Sequence, residues 1–114
     1  MRHFLLLIVA SFFLLQTAKA QTILVPSSGS ATTTNCSGTI QDHAGSGNYS
    51  NSVSGYLVID PPGTATVSLS FTQFQTESGY DYVRIYNGVG LTGTLLGTYS
   101  GSTLPNAGNP FVST

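Results

Sequence analysis

The run ATVSLSF, residues 65–71, places Val67, Leu69 and Phe71 at every second position, with Thr66, Ser68 and Ser70 between them. That period sorts side chains onto the two faces of a strand and cannot line one face of a helix. The alternation returns in YDYVRIY (Tyr80–Tyr86), where Val83 and Ile85 share a face. GYLVI (Gly55–Ile59) is a shorter apolar strand closed by the turn sequence DPPG, and TLLGTYS (Thr94–Ser100) is another strand. Asn87-Gly88 ends the Tyr80–Tyr86 run with a hairpin-type turn. GSTLPNAGNP reads as a loop, and FVST (Phe111–Thr114) as the start of a strand. No window has helical periodicity, and the chain carries 13 glycines. Short strands separated by turn chemistry predict an all-β fold, an antiparallel β-sandwich.

The first twenty residues stand apart. Met1-Arg2-His3 is a short basic start, and FLLLIVASFFLL (Phe4–Leu15) is an uninterrupted apolar run. Ala18-Lys19-Ala20 supplies the small-x-small pattern that a signal peptidase reads. The apolar run is shorter than the roughly 20 residues a spanning helix needs. Residues 1–20 therefore read as a secretory signal peptide, residues 21–35 as a Ser/Thr/Gly-rich N-terminal linker, and residues 36–114 as the folded domain. The protein is expected to be secreted, with no membrane insertion after cleavage.

Cleavage changes the electrostatics. Charged residues make up only 6% of the chain. With Arg2 and Lys19 gone, Arg84 is the single basic side chain against Asp42, Asp60, Glu77 and Asp81. No basic patch is left to neutralise phosphates, which excludes nucleic acid as a partner. Anionic membranes are excluded by the same shortage. Cys36 is the only cysteine, so no intrachain disulfide can form. In an exported chain it is a free thiol that pairs between chains, a buried small hydrophobe, or a cysteine whose partner has been lost.

Catalytic chemistry finds little support. Asp42-His43 is the one acid–histidine neighbour pair, but a triad needs three converging side chains and no G-x-S-x-G motif is present. His43 is expected to be a solvent-exposed loop residue. One histidine and one cysteine cannot complete a zinc site, and no cation adjoins Cys36 in sequence to activate its thiol. The chain reads as a non-enzyme. Asn35-Cys36-Ser37 and Asn48-Tyr49-Ser50 are both N-x-S glycosylation acceptors.

Four segments together carry a resemblance: CSGTIQD, GNYSN, VIDPPGTATVSLSFTQFQTESGYDYVRIYNG and LLGTYSGSTLP. From Cys36 to Thr114 the chain resembles a CUB domain, a secreted jelly-roll β-sandwich module. The resemblance implies a second cysteine four residues before Ile59, where Gly55 stands, and a second disulfide between the positions of Ser78 and Ser100. It also implies further strands after FVST, so the domain is expected to be incomplete at its C-terminus. Each absent bridge would contribute about 2–4 kcal/mol.

Glu77 and Asp81 flank the tight Ser78-Gly79-Tyr80 connection. Two carboxylates held close repel unless something positive intervenes. Arg84 lies three residues on, at an odd spacing that turns it to the opposite strand face. Hard oxygen ligands on a loop suit Ca²⁺; the bland alternative is a pair of solvated acids. In CUB modules that bind calcium, the resemblance implies that Glu77 and Asp81 are ligands and that Tyr49 supports the glutamate. The family's third acidic ligand would come from a loop beyond Thr114. The expected function is a non-catalytic module that binds another extracellular protein, with calcium as cofactor. Glu77, Asp81 and Tyr80 would form the contact, the carboxylates engaging a basic side chain. The alternatives are a carbohydrate-binding or adhesion module using exposed Tyr80, Tyr82 and Tyr86, and an accessory domain of a larger secreted enzyme such as a protease.

Overall fold

Alternating residues need a partner edge before they become strands, and the described residues supply four two-stranded ladders. The computed structural model describes residues 21–63 and 66–114. The leader expected over residues 1–20 lies outside the described residues, as do Thr64 and Ala65. Among the described residues, β1 (Thr22–Leu24) pairs in parallel with β3 (Thr39–Gln41), and β2 (Ser30–Thr33) in parallel with β4 (Tyr56–Ile59). β5 (Ser68–Leu69) runs antiparallel to β8 (Phe111–Val112), and β6 (Val83–Asn87) antiparallel to β7 (Thr94–Tyr99). Only 3-10 turns, Gly90–Thr92 and Pro105–Gly108, interrupt this all-β pattern.

Residues 21–35, expected as a linker, carry β1 and β2 instead. Their Ser/Thr/Gly composition resembles that of a linker, but threonine suits a pleated surface once an edge is available. β4 provides that edge. The seam continues beyond the strands themselves: the Ser54 and Tyr56 amides donate to the Ser27 and Gly29 carbonyls at 3.1 and 3.0 Å, and the Asp60 amide to Thr33 at 2.8 Å. The approach is so close that a Cβ at Gly55 would collide with the Pro26 carbonyl oxygen and lie 2.6 Å from its carbon. No side chain fits at that position.

β6 and β7 form the longest ladder, from Val83↔Tyr99 to Asn87↔Thr94. Ile85 faces Gly97 and Tyr86 faces Leu95, so Leu96 is the extra residue of a β-bulge. The expected tight turn at Asn87-Gly88 opens into a longer connection through the 3-10 turn. Gly88 takes φ +134° there, and a Cβ on it would sit 2.8 Å from the Gly93 Cα.

The core centres on Phe111, which is buried. Its ring meets Phe71 at 6.3 Å and Tyr99 at 5.8 Å between centroids, edge to face, and Phe71 meets Phe74 at 5.9 Å. Such pairs contribute about 0.5–1.5 kcal/mol each beyond their buried area. Through Leu69↔Phe111 on one side and Tyr99 on the other, Phe111 ties β5 to β7. Through Phe74, which meets Phe71, the same cluster reaches the segment between β5 and β6, residues 72–82, which carries both candidate carboxylates.

Candidate functional site

The strand expected from Tyr80 begins only at Val83, because the chain turns first. The amides of Tyr80 and Asp81 both donate to the Glu77 carbonyl, at 3.1 and 3.0 Å. Gly79 takes φ +80°, a conformation open to glycine at little cost. Glu77 and Asp81 therefore stand at the two ends of one closed turn. Thr76 anchors its base: its amide donates to the Gly101 carbonyl at 2.8 Å, and its hydroxyl accepts from the Gly101 amide at 2.9 Å and donates to the Asp81 carbonyl at 3.0 Å.

Tyr49 reaches this turn from 32 residues away. Its phenol donates to Asp81 Oδ2 at 2.7 Å and accepts from the Glu77 amide at 3.0 Å. The Asp81 carboxylate favours the protonated phenol and raises Tyr49 above its ordinary value of 10.0, while the Glu77 amide pulls the other way. Tyrosine and turn thus hold the Asp81 carboxylate in one orientation. All three residues line an open, mainly polar groove of about 1110 Å³ that also takes in Gln41, Asn48 and Gln73.

The loop bearing Tyr49 has its own fastening. His43 Nε2 accepts from the Ser50 amide at 3.2 Å and lies 2.8 Å from Ser50 Oγ. His43 is half-buried, with Nδ1 shut away from water and from any partner among the described residues; the expected solvent-exposed histidine is not found. Asp42 does not orient it, since Asp42 Oδ1 accepts from the Ala44 amide at 2.9 Å. The acid caps a turn. No group of three or more His, Cys, Asp or Glu side chains converges among the described residues.

The remaining candidates separate. Tyr80 is 79% exposed at the tip of the turn. Tyr82 is exposed as well, but its hydroxyl donates to the Gly79 carbonyl at 2.9 Å, so it braces the turn. Arg84 lies 5.8 Å from the centroid of the Tyr82 ring, a cation–π position. Cys36 is exposed and free, which removes the buried-hydrophobe reading. Among the described residues no helix is long and apolar enough to cross a membrane.

A family model described as CUB domain matches residues 28–111. The chain belongs to the CUB domain family. CUB domains are in general non-catalytic, extracellular modules that bind other proteins. No solved structure matches the chain. The family match begins ahead of Cys36 and takes in β2, in keeping with the pairing of β2 and β4. Sequence reasoning missed the part played by Ser100. Where a bridge from the position of Ser78 would stand, the Ser100 hydroxyl accepts from the Gly79 amide at 2.8 Å and donates to the Glu77 carbonyl at 3.2 Å. One hydroxyl spans the residues flanking Ser78. Serine at both positions was the only available signal, and it does not by itself predict a hydrogen-bonded replacement.

Proposed function

We propose that this CUB domain is a secreted, non-catalytic module that binds an extracellular protein by taking a basic side chain of its partner against Glu77 and Asp81. The observation that carries this reading is the Tyr49–Asp81 hydrogen bond, which aims a carboxylate at the polar groove from a braced turn. Preorganised charge of this kind lowers the ordering cost of binding. Tyr80, exposed beside it, adds a broad apolar contact with few rotatable bonds.

The same residues suit calcium. The Glu77 and Asp81 carboxylates and the amide oxygens of Asn51, Gln73 and Gln75 on the groove wall are hard donors of the kind the ion takes. Glu77 and Asp81 would be the anionic ligands, and Tyr49 would orient Asp81. Bound calcium would supply the positive centre that relieves their repulsion.

A second reading, carbohydrate binding, rests on the amide-rich groove beside the exposed Tyr80 ring. Thermal melts of the protein in chelator and in millimolar calcium, with Asp81→Ala beside wild type, test the metal. Binding to an immobilised lysine-bearing peptide, against the same peptide with norleucine for lysine, tests the basic contact. A calcium-dependent rise in melting temperature and lysine-dependent binding, both lost in Asp81→Ala, are expected. Equal binding to both peptides overturns the basic-side-chain reading, and equal melts in the two buffers overturn the calcium reading. Glycan-array binding that outlasts both results would favour the carbohydrate.

A further inference from the structure

The two glycosylation sequons are alike as motifs and unlike in the fold. Asn35 is half-buried. Its side-chain Nδ2, the atom a glycan would occupy, donates to Gln21 Oε1 at 2.9 Å, and its amide donates to Thr33 Oγ1 at 3.3 Å. The residue lines a small cavity of about 150 Å³ between β1 and β5, among Ile23, Ile40, Ile59 and Leu69. A sugar on Nδ2 would remove one donor proton and crowd the contact with Gln21 that holds the Asn35 side chain.

Asn48 is the opposite case. Ser46, Gly47 and Asn48 are three consecutive exposed residues. The fold uses the Ser50 hydroxyl and amide, both on His43, to pin the loop just past Asn48, while Tyr49 turns inward to Asp81. That anchoring leaves Asn48 outside, on the rim of the groove. In the folded domain a glycan on Asn48 would displace none of these contacts.

We propose that Asn48 is an N-glycosylation site of this protein and that Asn35 is not. The co-reactant is a lipid diphosphate-linked oligosaccharide, delivered by an oligosaccharyltransferase. Asn48 Nδ2 forms a bond to C1 of the first N-acetylglucosamine, the C1–O bond to the diphosphate breaks, the diphosphate leaves with the electron pair, and the amide proton passes to the enzyme's base. Nothing is oxidised or reduced. The glycan then stands at the mouth of the groove that Tyr49 and Asp81 line.

The test expresses the full chain with its own leader in a eukaryotic cell line and analyses cell-associated and secreted protein together. Enzymatic deglycosylation in ¹⁸O water converts an occupied asparagine to labelled aspartate, which peptide mass spectrometry assigns to its position. Label at Asn48, none at Asn35, and loss of the gel shift in Asn48→Gln but not in Asn35→Gln are expected. Ser50→Thr, which keeps the sequon, should retain the shift. Unlabelled Asn48, or label at Asn35, overturns the proposal, and the site mapping on wild-type protein decides it even if a variant misfolds.

Discussion

Ser100 is where the cost of a missing cross-link can be measured. Its hydroxyl accepts from Gly79 at 2.8 Å and donates to the Glu77 carbonyl at 3.2 Å. Ser100→Ala deletes both bonds. A typical hydrogen bond contributes about 1 kcal/mol net, so the pair is worth at most about 2 kcal/mol. Because the turn is exposed, water recovers part of that, and a loss of about 1 kcal/mol is expected. For a domain of this size each kcal/mol moves the midpoint by about 4–8 °C. The complementary change, Ser78→Cys with Ser100→Cys, closes a loop of roughly 22 residues. Chain entropy gives such a loop about 3 kcal/mol, from which the lost hydroxyl bonds subtract. Oxidised protein should therefore melt above wild type by about 1–2 kcal/mol, and reduced protein below it. Thermal unfolding followed by circular dichroism, with and without reductant and in a Cys36→Ser background, reads all three. If Ser100→Ala melts with wild type, the hydroxyl does not hold the turn and this reasoning is wrong.

Phe111→Ala should cost about 3–5 kcal/mol, because it empties the contact between β5 and β7; urea unfolding with unchanged stability would show that the aromatic cluster is not the core. In calcium-free buffer the Tyr49 phenol should ionise above 10.0, seen as the difference in ultraviolet titration between wild type and Tyr49→Phe. Since the folded value is the higher one, the stability this tyrosine adds is complete below about pH 10, where the unfolded chain titrates. It is lost as pH rises through the folded value, and a Tyr49→Phe variant with the same alkaline melting profile as wild type would contradict it. Cys36 should react with one equivalent of maleimide in native buffer, and protection until denaturant is added would place the thiol inside.

The sequence was most legible where alternation and pairing agree. GYLVI and TLLGTYS become β4 and β7, and FVST supplies β8. Among the described residues of ATVSLSF, only Ser68–Leu69 pair as a strand, opposite β8. β1 and β2 were illegible because short segments in a Ser/Thr/Gly-rich stretch become strands only against an edge supplied by β3 and β4, which local composition cannot report. The two parallel ladders were hidden for the same reason: a period of two carries no strand direction. At the site, Glu77 and Asp81 showed themselves by their spacing in a chain nearly without charge. Tyr49 came from the CUB resemblance alone. It was expected to support the glutamate; its hydroxyl donates to Asp81 and accepts from the Glu77 backbone amide, a link to Asp81 that the resemblance did not include.

The seams at Gly55 and Ser100 also bear on how quickly the protein can be made. Domains knitted by sulfur wait on thiol exchange, which takes seconds to hours and depends on an isomerase. Here one seam closes by backbone carbonyls meeting amides across Gly55, and the other by a single serine hydroxyl. Neither has a wrong partner to be unpicked from. Closing these two seams is then a matter of loop closure and strand pairing, the millisecond-to-second regime of small β proteins.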